Sequence, residues 1–419
     1  MKHCTNKKRP IKLGIAVTVV AALSAMTLAT ASCAPSSLNE SEQGGKADAT
    51  YQDWVAAYPD QYASFLTDKW RDGGGGYKTD GQYNHTHSML RQNMEDMFET
   101  IEVDQPGYMK LSCIACKSSA YNDIYEKYGE QTFELGLGEI NLDEVMESAW
   151  DCETCHESID DLTLRPGIST WDELSEGAFD NQAPETLVCA QCHNSWGNIV
   201  KFAAGDERGL TIQDYHPYQY GYDADALYKE YAEDGSTRVQ FDENGLVLVN
   251  TTTYDIENFA GSVHQNLGMT CASCHMPTQE NGNKEEYTSH NASGSVLENV
   301  TALEYCLTCH EAQGIESTDE MVEYVHAAQS NFADKKAEVD AMLAQLKETL
   351  LTVIEDGSVD EATLDQARDK YNLATYYVSY AASYVHGRDG VKIAHNPEGM
   401  INYVERARNM AQESIDLLA

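Results

Sequence analysis

The sequence is short of positive charge. Only 28 of its 419 residues are lysine or arginine, against 68 that are aspartate or glutamate, and the formal net charge is -40. A surface this acidic repels the phosphates of nucleic acids and the headgroups of anionic lipids, so neither is an expected partner. It also repels small anions, so a site for an anionic substrate needs positive charge close to it.

Long apolar runs are absent beyond residue 32, where no segment has the ~20 uncharged apolar residues that a membrane-spanning helix needs. The run IAVTVVAALSAMTLATA follows a basic segment, and this order predicts an export signal peptide over residues 1–32. The polar residues 33–50 predict a flexible tether beginning at Cys33. We therefore expect an exported protein, periplasmic or at the cell surface. It is either lipid-anchored at Cys33 or cleaved nearby as an ordinary signal peptide is.

Beyond Cys33, cysteine occurs only in pairs. After Cys33, every cysteine belongs to one of five C-x-x-C motifs, which argues against a framework of disulfide bonds. Histidine directly follows four of the motifs, whereas Lys117 follows the first. The pairs are Cys113 and Cys116, Cys152 and Cys155, Cys189 and Cys192, Cys271 and Cys274, and Cys306 and Cys309, and the four histidines are His156, His193, His275 and His310.

The C-x-x-C-H pattern predicts covalent attachment of c-type haem, in which two thiols add to the haem vinyl groups and the adjacent histidine binds the iron. Structural zinc sites combine two cysteine pairs at modest spacing, and zinc does not require a histidine directly after each pair. Thioredoxin-like redox pairs do not explain the trailing histidine either. The sequence therefore predicts five c-type haems in a mostly α multihaem cytochrome c fold.

Each histidine-ligated haem can take a second axial ligand, and two imidazoles give a low-spin iron suited to electron transfer. Four such haems need four further histidines, and the chain has enough of them. The histidines outside the motifs and the signal segment are His85, His87, His216, His264, His290, His326, His386 and His395.

Lys117 gives the first motif a different chemistry. An amine binds iron only when it is deprotonated, so its surroundings must lower its pKa. If lysine takes one axial position and nothing takes the other, this haem can bind a substrate while the other four carry electrons. The alternative is an ordinary surface lysine beside a cysteine pair that carries no haem.

One C-x-x-C-K followed by four C-x-x-C-H motifs resembles pentahaem cytochrome c nitrite reductase, the ammonia-forming enzyme. GSVHQNLGMTCASCHMP, YTSH at 287–290 and HNPEG at 395–399 are similar to further family segments. The resemblance implies reduction of nitrite to ammonium at the Lys117 haem, with electrons from a membrane quinol-oxidising cytochrome. It also implies the distal ligands, which are His87, His264, His290 and His395, with His85 as the competitor to His87.

The match weakens at the family's catalytic pocket of arginine, tyrosine and histidine. Ser195 and Trp196 stand where the family has a calcium-binding glutamate and the tyrosine, so calcium is undecided. Thr253 or Tyr254 stands where the family has the pocket histidine. The segment NMEDMFETIE lies where the family has the pocket arginine, and it contains no arginine. Positive groups stabilise an anion bound at iron, so their loss bears directly on activity. The candidate replacements are Arg91, Arg165, His216 and Tyr254.

Three functions follow from this pattern. The first is a reductase of nitrite, or of a similar small nitrogen or sulfur oxyanion, at the Lys117 haem. The second is a pentahaem electron-transfer protein that has lost nitrite chemistry and serves a partner reductase. The third is a reductase of a larger or neutral substrate, with Trp196 reshaping the pocket.

The chain divides by pattern into a pentahaem-binding region at 51–316 and a C-terminal helical region at 317–419 within the same domain. In the first region, residues 51–70 are helix-compatible, and VQFDENGLVLV is the one predicted hairpin, turning at 243–245. In the second, apolar spacing predicts three helices. They end at Gly357, at Gly387 or Gly390, and at the C-terminus. Such helices form the dimer interface in the family, although an intramolecular bundle explains the same pattern.

Overall fold

The computed structural model describes residues 50–67, 87, 114–133, 135–165, 167–168, 171, 174–195, 216–234, 239–249, 254–293, 295–383 and 390–419. Helices dominate these residues and the strands are short, which confirms the mostly α prediction. The predicted signal peptide at 1–32, Cys33 and the tether up to residue 49 lie outside them. Within the described ranges, no helix is long and apolar enough to cross a membrane.

The helix-compatible segment after residue 50 forms two helices, α1 (Tyr51–Ala57) and α2 (Pro59–Leu66). The Thr50 side chain accepts a hydrogen bond from the Asp53 N–H, and the Asp53 carboxylate accepts one from the Thr50 N–H, so a capping box begins α1. Pro59 starts α2 because a residue without an N–H is tolerated at the first helical position. The two helices therefore meet at Tyr58.

The cysteine motifs lie in a region of short helices and turns. Before the first strand its helices are α3 (Ala120–Tyr128), α4 (Leu142–Glu147), α5 (Pro184–Ala190) and α6 (Ala224–Asp234). The strands β1 (Val239–Phe241) and β2 (Val247–Val249) follow. Next come α7 (Asp255–Phe259), α8 (Val263–Asn266), α9 (Cys271–His275), β3 (Thr278–Glu280), β4 (Glu286–Thr288) and α10 (Val300–His310).

The predicted hairpin is confirmed, but it is not the only one. β1 pairs antiparallel with β2, Val239 opposite Val249, and Gly245 turns the chain at φ 74°. β3 and β4 form a second hairpin that the sequence analysis missed. Its strands, TQE and EYT, lack apolar alternation, and its turn depends on Asn281, whose side chain accepts hydrogen bonds from the N–H groups of Asn283 and Glu285.

The C-terminal region contains the three predicted helices, α11 (Thr318–Asp356), α12 (Glu361–Ala382) and α13 (Pro397–Leu418). α11 ends at the left-handed Gly357 as predicted and is about 58 Å long. The predicted end of α12 at Gly387 or Gly390 is wrong. Ser383 takes the left-handed conformation at φ 39° and ends the helix, and its hydroxyl accepts a hydrogen bond from the Tyr254 N–H.

α12 and α13 pack against each other through small and aromatic residues. Both helices carry fully buried alanines, which are Ala367, Ala374, Ala381, Ala407 and Ala411. The Ser414 hydroxyl donates to the Ala367 carbonyl at 2.7 Å and joins the two helices. The rings of Tyr377 and Tyr380 on α12 contact Tyr403 on α13. Tyr380 donates to the Tyr222 carbonyl at 3.1 Å, so this helix also anchors the segment before α6.

Two glycines with positive φ provide a test of close packing. A Cβ on Gly390 would lie 2.7 Å from the Gln329 carbonyl oxygen, whereas a Cβ on Gly357 would meet nothing within 4 Å. Gly357→Ala should therefore lower the free energy of unfolding by about 1 kcal/mol, because alanine disfavours the left-handed conformation. Gly390→Ala should lower it by about 3 kcal/mol, because a backbone clash is added. Denaturant unfolding of both variants measures the difference, and equal losses would contradict the packing described here.

Candidate haem centres

The motifs fold into helical turns that direct their reactive groups to one side. In the third motif the N–H groups of Cys192 and His193 both bond to the Cys189 carbonyl, at 3.1 and 2.9 Å. In the second, the His156 N–H bonds to the Cys152 carbonyl at 2.9 Å. Residues three and four apart in a helical turn share a face. Both thiols and the imidazole of a motif can therefore contact the same bound group.

The motif cysteines are unbridged. All nine that the structure describes are free, and Cys113 lies outside the described residues. Burial, together with the nearby Asp151, raises the pKa of Cys152 to about 12 and of Cys155 to about 11. Burial also raises the pKa of Cys274 to about 12. Neutral thiols in apolar surroundings differ from the low-pKa thiolates of catalytic redox pairs.

Each motif histidine faces a second histidine ring. With metal–nitrogen bonds of about 2.0 Å, two imidazoles on opposite sides of one metal ion have ring centres about 6.3 Å apart. The four observed pairs match that spacing: His87–His193 at 6.3 Å, His156–His290 at 6.2 Å, His264–His310 at 6.4 Å and His275–His395 at 6.3 Å. The structure therefore brings together each motif histidine and one of the four distal histidines that the resemblance implied.

Hydrogen bonds orient five of these rings. The Nδ1 contacts are His156 with the Leu162 carbonyl, His264 with the Ala394 carbonyl, His275 with the Ala292 carbonyl, His290 with the Thr288 carbonyl and His193 with the Asp255 carboxylate, at 2.9–3.3 Å. These oxygens only accept, so Nδ1 carries the hydrogen. Nε2 keeps its lone pair for a metal ion.

Six of the paired imidazoles have a lowered pKa, which favours the neutral, metal-binding form. Burial, with nearby histidines, lowers the pKa of His87 to about 3. It lowers the pKa of His156 and of His395 to about 4. Desolvation disfavours the charged ring, so no proton competes with a metal ion at neutral pH.

Lys117 lies in a turn that backbone contacts fix. Its N–H donates to the Ile114 carbonyl at 2.7 Å, and its carbonyl accepts from the Trp150 N–H at 3.0 Å. The Trp150 indole stacks on the His87 ring with centres 4.8 Å apart. The backbone at Lys117 is thus linked through Trp150 to His87, the histidine that faces His193 of the third motif.

The third motif contacts its neighbours on both sides. The Gln191 side chain donates to the Thr154 carbonyl of the second motif at 3.4 Å. The Gln191 carbonyl accepts from the Cys116 thiol of the first motif at 3.9 Å. Cys116 also lies close enough to Cys192, and Cys189 to Cys271, for the paired thiols to shift each other's pKa. The third motif therefore adjoins the first, second and fourth motifs.

Asp255 and Glu257 are site residues that the sequence analysis missed. Burial alone would raise the pKa of Asp255, but Lys392 and His193 hold it well below its usual range. Burial raises the pKa of Glu257, which accepts hydrogen bonds from the Ser195 N–H and the Tyr218 hydroxyl, both at 2.8 Å. The signal was available in YDIENFA, where two acidic residues interrupt an apolar segment.

Calcium takes 6–8 oxygen ligands, usually including carboxylates. Ser195, at the place of the family's calcium-binding glutamate, offers no carboxylate, and the carboxylate beside it belongs to Glu257. The Ser195 N–H donates to Glu257 and its hydroxyl accepts from Tyr231 at 2.9 Å. Across the described part of the chain there is no cluster of three or more histidine, cysteine, aspartate or glutamate residues that could hold a metal ion.

The candidate replacements for the pocket lie in separate surroundings. His216 pairs with Glu176 at 2.7 Å near the surface. The Arg165 N–H bonds to the Cys155 carbonyl, at the second motif. Tyr254 is buried and its hydroxyl lies 3.4 Å from that of Tyr376. His85, Arg91, Trp196, Thr253 and His386 lie outside the described residues.

Comparison with known proteins identifies a family for the chain. The family model of cytochrome c552 matches residues 74–419. Cytochrome c-552 of Desulfotalea psychrophila is 25% identical over 292 residues, 62% of this chain and 55% of the relative. The cytochrome c nitrite reductase subunit NrfA of Nitratidesulfovibrio vulgaris is 20% identical over 334 residues, 75% of this chain and 61% of the relative. The matched part thus spans less than two thirds of each relative.

A solved structure shares the fold. The catalytic subunit NrfA of cytochrome c nitrite reductase from Desulfovibrio desulfuricans superposes with a TM-score of 0.66. The match covers 88% of this chain and 86% of that subunit at 17% sequence identity. That protein is described as having two calcium sites. At this identity the likeness shows the fold alone.

The pairing of His156 with His290 predicts a specific spectroscopic change. In His290→Ala the haem at the second motif keeps its two cysteines but loses one axial imidazole, so one low-spin haem becomes high-spin. The intact-protein mass, which counts covalent haems, should change only by the difference between histidine and alanine. His326→Ala, which alters an exposed histidine on α11, is the matched control. Electron paramagnetic resonance checks both, and a wild-type spectrum in His290→Ala would contradict the pair.

Proposed function

The chain belongs to the cytochrome c552 family, and from this premise we propose that it carries five c-type haems and reduces nitrite to ammonium at the one bound through Lys117. When bound, the haems supply the iron and the stored electrons for this six-electron reduction. The cysteine pairs hold them, including Cys113 with Cys116. Paired histidines would hold the irons of four haems, and Lys117 would hold the iron of the fifth.

One observation carries this proposal: the four histidine pairs leave no described histidine for the first motif. The described histidines outside the pairs are His216, which pairs with Glu176, and the exposed His326 on α11. A haem at Cys116 and Lys117 would therefore have a lysine on one side and no described histidine on the other. Four closed sites and one open site are what a substrate-reducing cytochrome with an internal electron relay needs.

The contacts of the third motif support the relay. Its Gln191 and cysteines touch the first, second and fourth motifs. Electrostatic influence of Cys306 on Cys274 links the fourth motif to the fifth. Electrons entering at any of the histidine-ligated haems could thus reach the Lys117 haem through adjacent centres. Nothing in this arrangement requires a conformational change.

Substrate binding is where the chain departs most from the family. A site for nitrite needs positive charge in a protein of formal charge -40. Burial raises the pKa of Glu257, which lies beside Ser195 and accepts a hydrogen bond from its N–H. The departures at Ser195 and Trp196 favour a second candidate function, a pentahaem electron-transfer protein or a reductase of another substrate.

The surroundings of the protein follow from the same proposal. Electrons come from a membrane quinol-oxidising cytochrome, and the protein works in the periplasm or at the cell surface. Its anchor would be a lipid on Cys33. The long helices α11, α12 and α13 are the proposed homodimer interface. The proposal assigns no role to calcium.

The activity is tested with purified, fully haem-loaded protein and a reduced viologen as donor. We expect nitrite consumption with ammonium as the product and six electrons used per nitrite. Lys117→Ala should lower turnover by at least the two to three orders of magnitude typical of losing one group at the reacting centre. Its haem content should stay unchanged.

His326→Ala is the matched control and should keep full turnover. Wild-type protein that carries all five haems but makes no ammonium would overturn the nitrite proposal. A partner reductase or another oxyanion would then be the candidate. Equal turnover in wild type and Lys117→Ala would show that the reaction takes place at another centre.

A further inference from the structure

Asp255 lies between two of the histidine pairs. Its Oδ2 is 3.0 Å from Nδ1 of His193, which faces His87, and its Oδ1 is 3.7 Å from Nδ1 of His395, which faces His275. The side chain is only 13% exposed. One buried carboxylate thus adjoins the rings that would bind the irons of the third and fourth motifs.

Two further contacts fix the carboxylate in place. The Lys392 ammonium lies 2.5 Å from Oδ1 and compensates its charge. The N–H of the next residue, Ile256, donates to the His193 carbonyl at 3.1 Å, which ties the start of α7 to the third motif. This hydrogen bond keeps the backbone of Asp255 beside His193.

The other two histidine pairs have no such partner among the described residues. The Nδ1 atoms of His156, His290 and His264 bond to main-chain carbonyls instead. A charged acceptor increases the electron density of an imidazole more than a neutral carbonyl does. The third and fourth centres are thus electronically different from the second and fifth.

We propose that Asp255 is a positioning residue that orients His193, the motif histidine that would bind the third haem, and that it lowers the reduction potentials of the third and fourth haems. The inference rests on the histidine assignment made in the proposed function. A carboxylate that accepts a hydrogen bond from Nδ1 makes the imidazole a stronger donor, and this stabilises ferric iron. The effect is larger at His193, where the contact is a hydrogen bond, than at His395, where 3.7 Å leaves only electrostatic attraction.

Lys392 acts in the opposite direction. Its positive charge offsets part of the carboxylate charge, so it limits how far the two potentials fall. This one charged pair thus influences the third and fourth haems together, with the larger effect at the third.

The test is a redox titration of haem-loaded protein followed by electron paramagnetic resonance, which needs no nitrite turnover. In Asp255→Asn we expect two of the four low-spin signals to move to higher potential. The larger move should be about tenfold in the reduction equilibrium, or 59 mV for one electron. In Lys392→Met the same two signals should move to lower potential, and this variant decides the question if Asp255→Asn fails to mature.

Glu176→Gln is the matched control, because Glu176 also accepts from a histidine, His216, that faces no second histidine ring among the described residues. None of the four signals should move in it. Unmoved potentials in both Asp255→Asn and Lys392→Met would overturn the proposal and leave the haem assignment standing. A wild-type protein without four low-spin haems would overturn the assignment itself and this inference with it.

Discussion

A metal ion between two imidazoles fixes the distance between the ring centres, and the region from residue 114 to residue 316 is arranged around that constraint. Four histidine pairs meet it within about 0.1 Å. Their members come from separate turns and short helices. Main-chain carbonyls orient four of the rings, and the Asp255 carboxylate orients His193. Short elements suffice here because, in our account, the haems supply apolar surface that would otherwise come from long packed helices.

A short turn before α13 joins this region to the C-terminal helices. The turn at Ile393–His395 supplies the ring that faces His275, and its Ala394 carbonyl orients His264. Lys392, directly before it, reaches the third motif through Asp255. Gly390 lets this segment approach α11 closely. The long helices therefore do more than fill the core, because they hold the segment that orients groups at three centres.

Features with local chemical causes were predictable from the sequence. The end of α11 at Gly357 and the hairpin at residues 239–249 follow from glycine conformation and apolar alternation. The missed features depend on contacts between distant segments. Ser383 ends α12 while bonded to Tyr254, and Asp255 and Glu257 gain their roles only where the third motif meets α7. Resemblance to a family indicated the four distal histidines, which spacing alone could not select.

Four haems would have histidine on both sides of the iron, and the fifth would keep one side for a substrate. This difference separates a reductase from a simple electron carrier. Spin quantitation of the fully oxidised, haem-loaded protein by electron paramagnetic resonance tests it most directly. Bis-imidazole iron is low-spin, whereas a haem with lysine on one side and a weak or absent ligand on the other is high-spin. We predict four low-spin haems and one high-spin haem. Five low-spin haems would contradict the account, because the Lys117 centre would then have no position for a substrate.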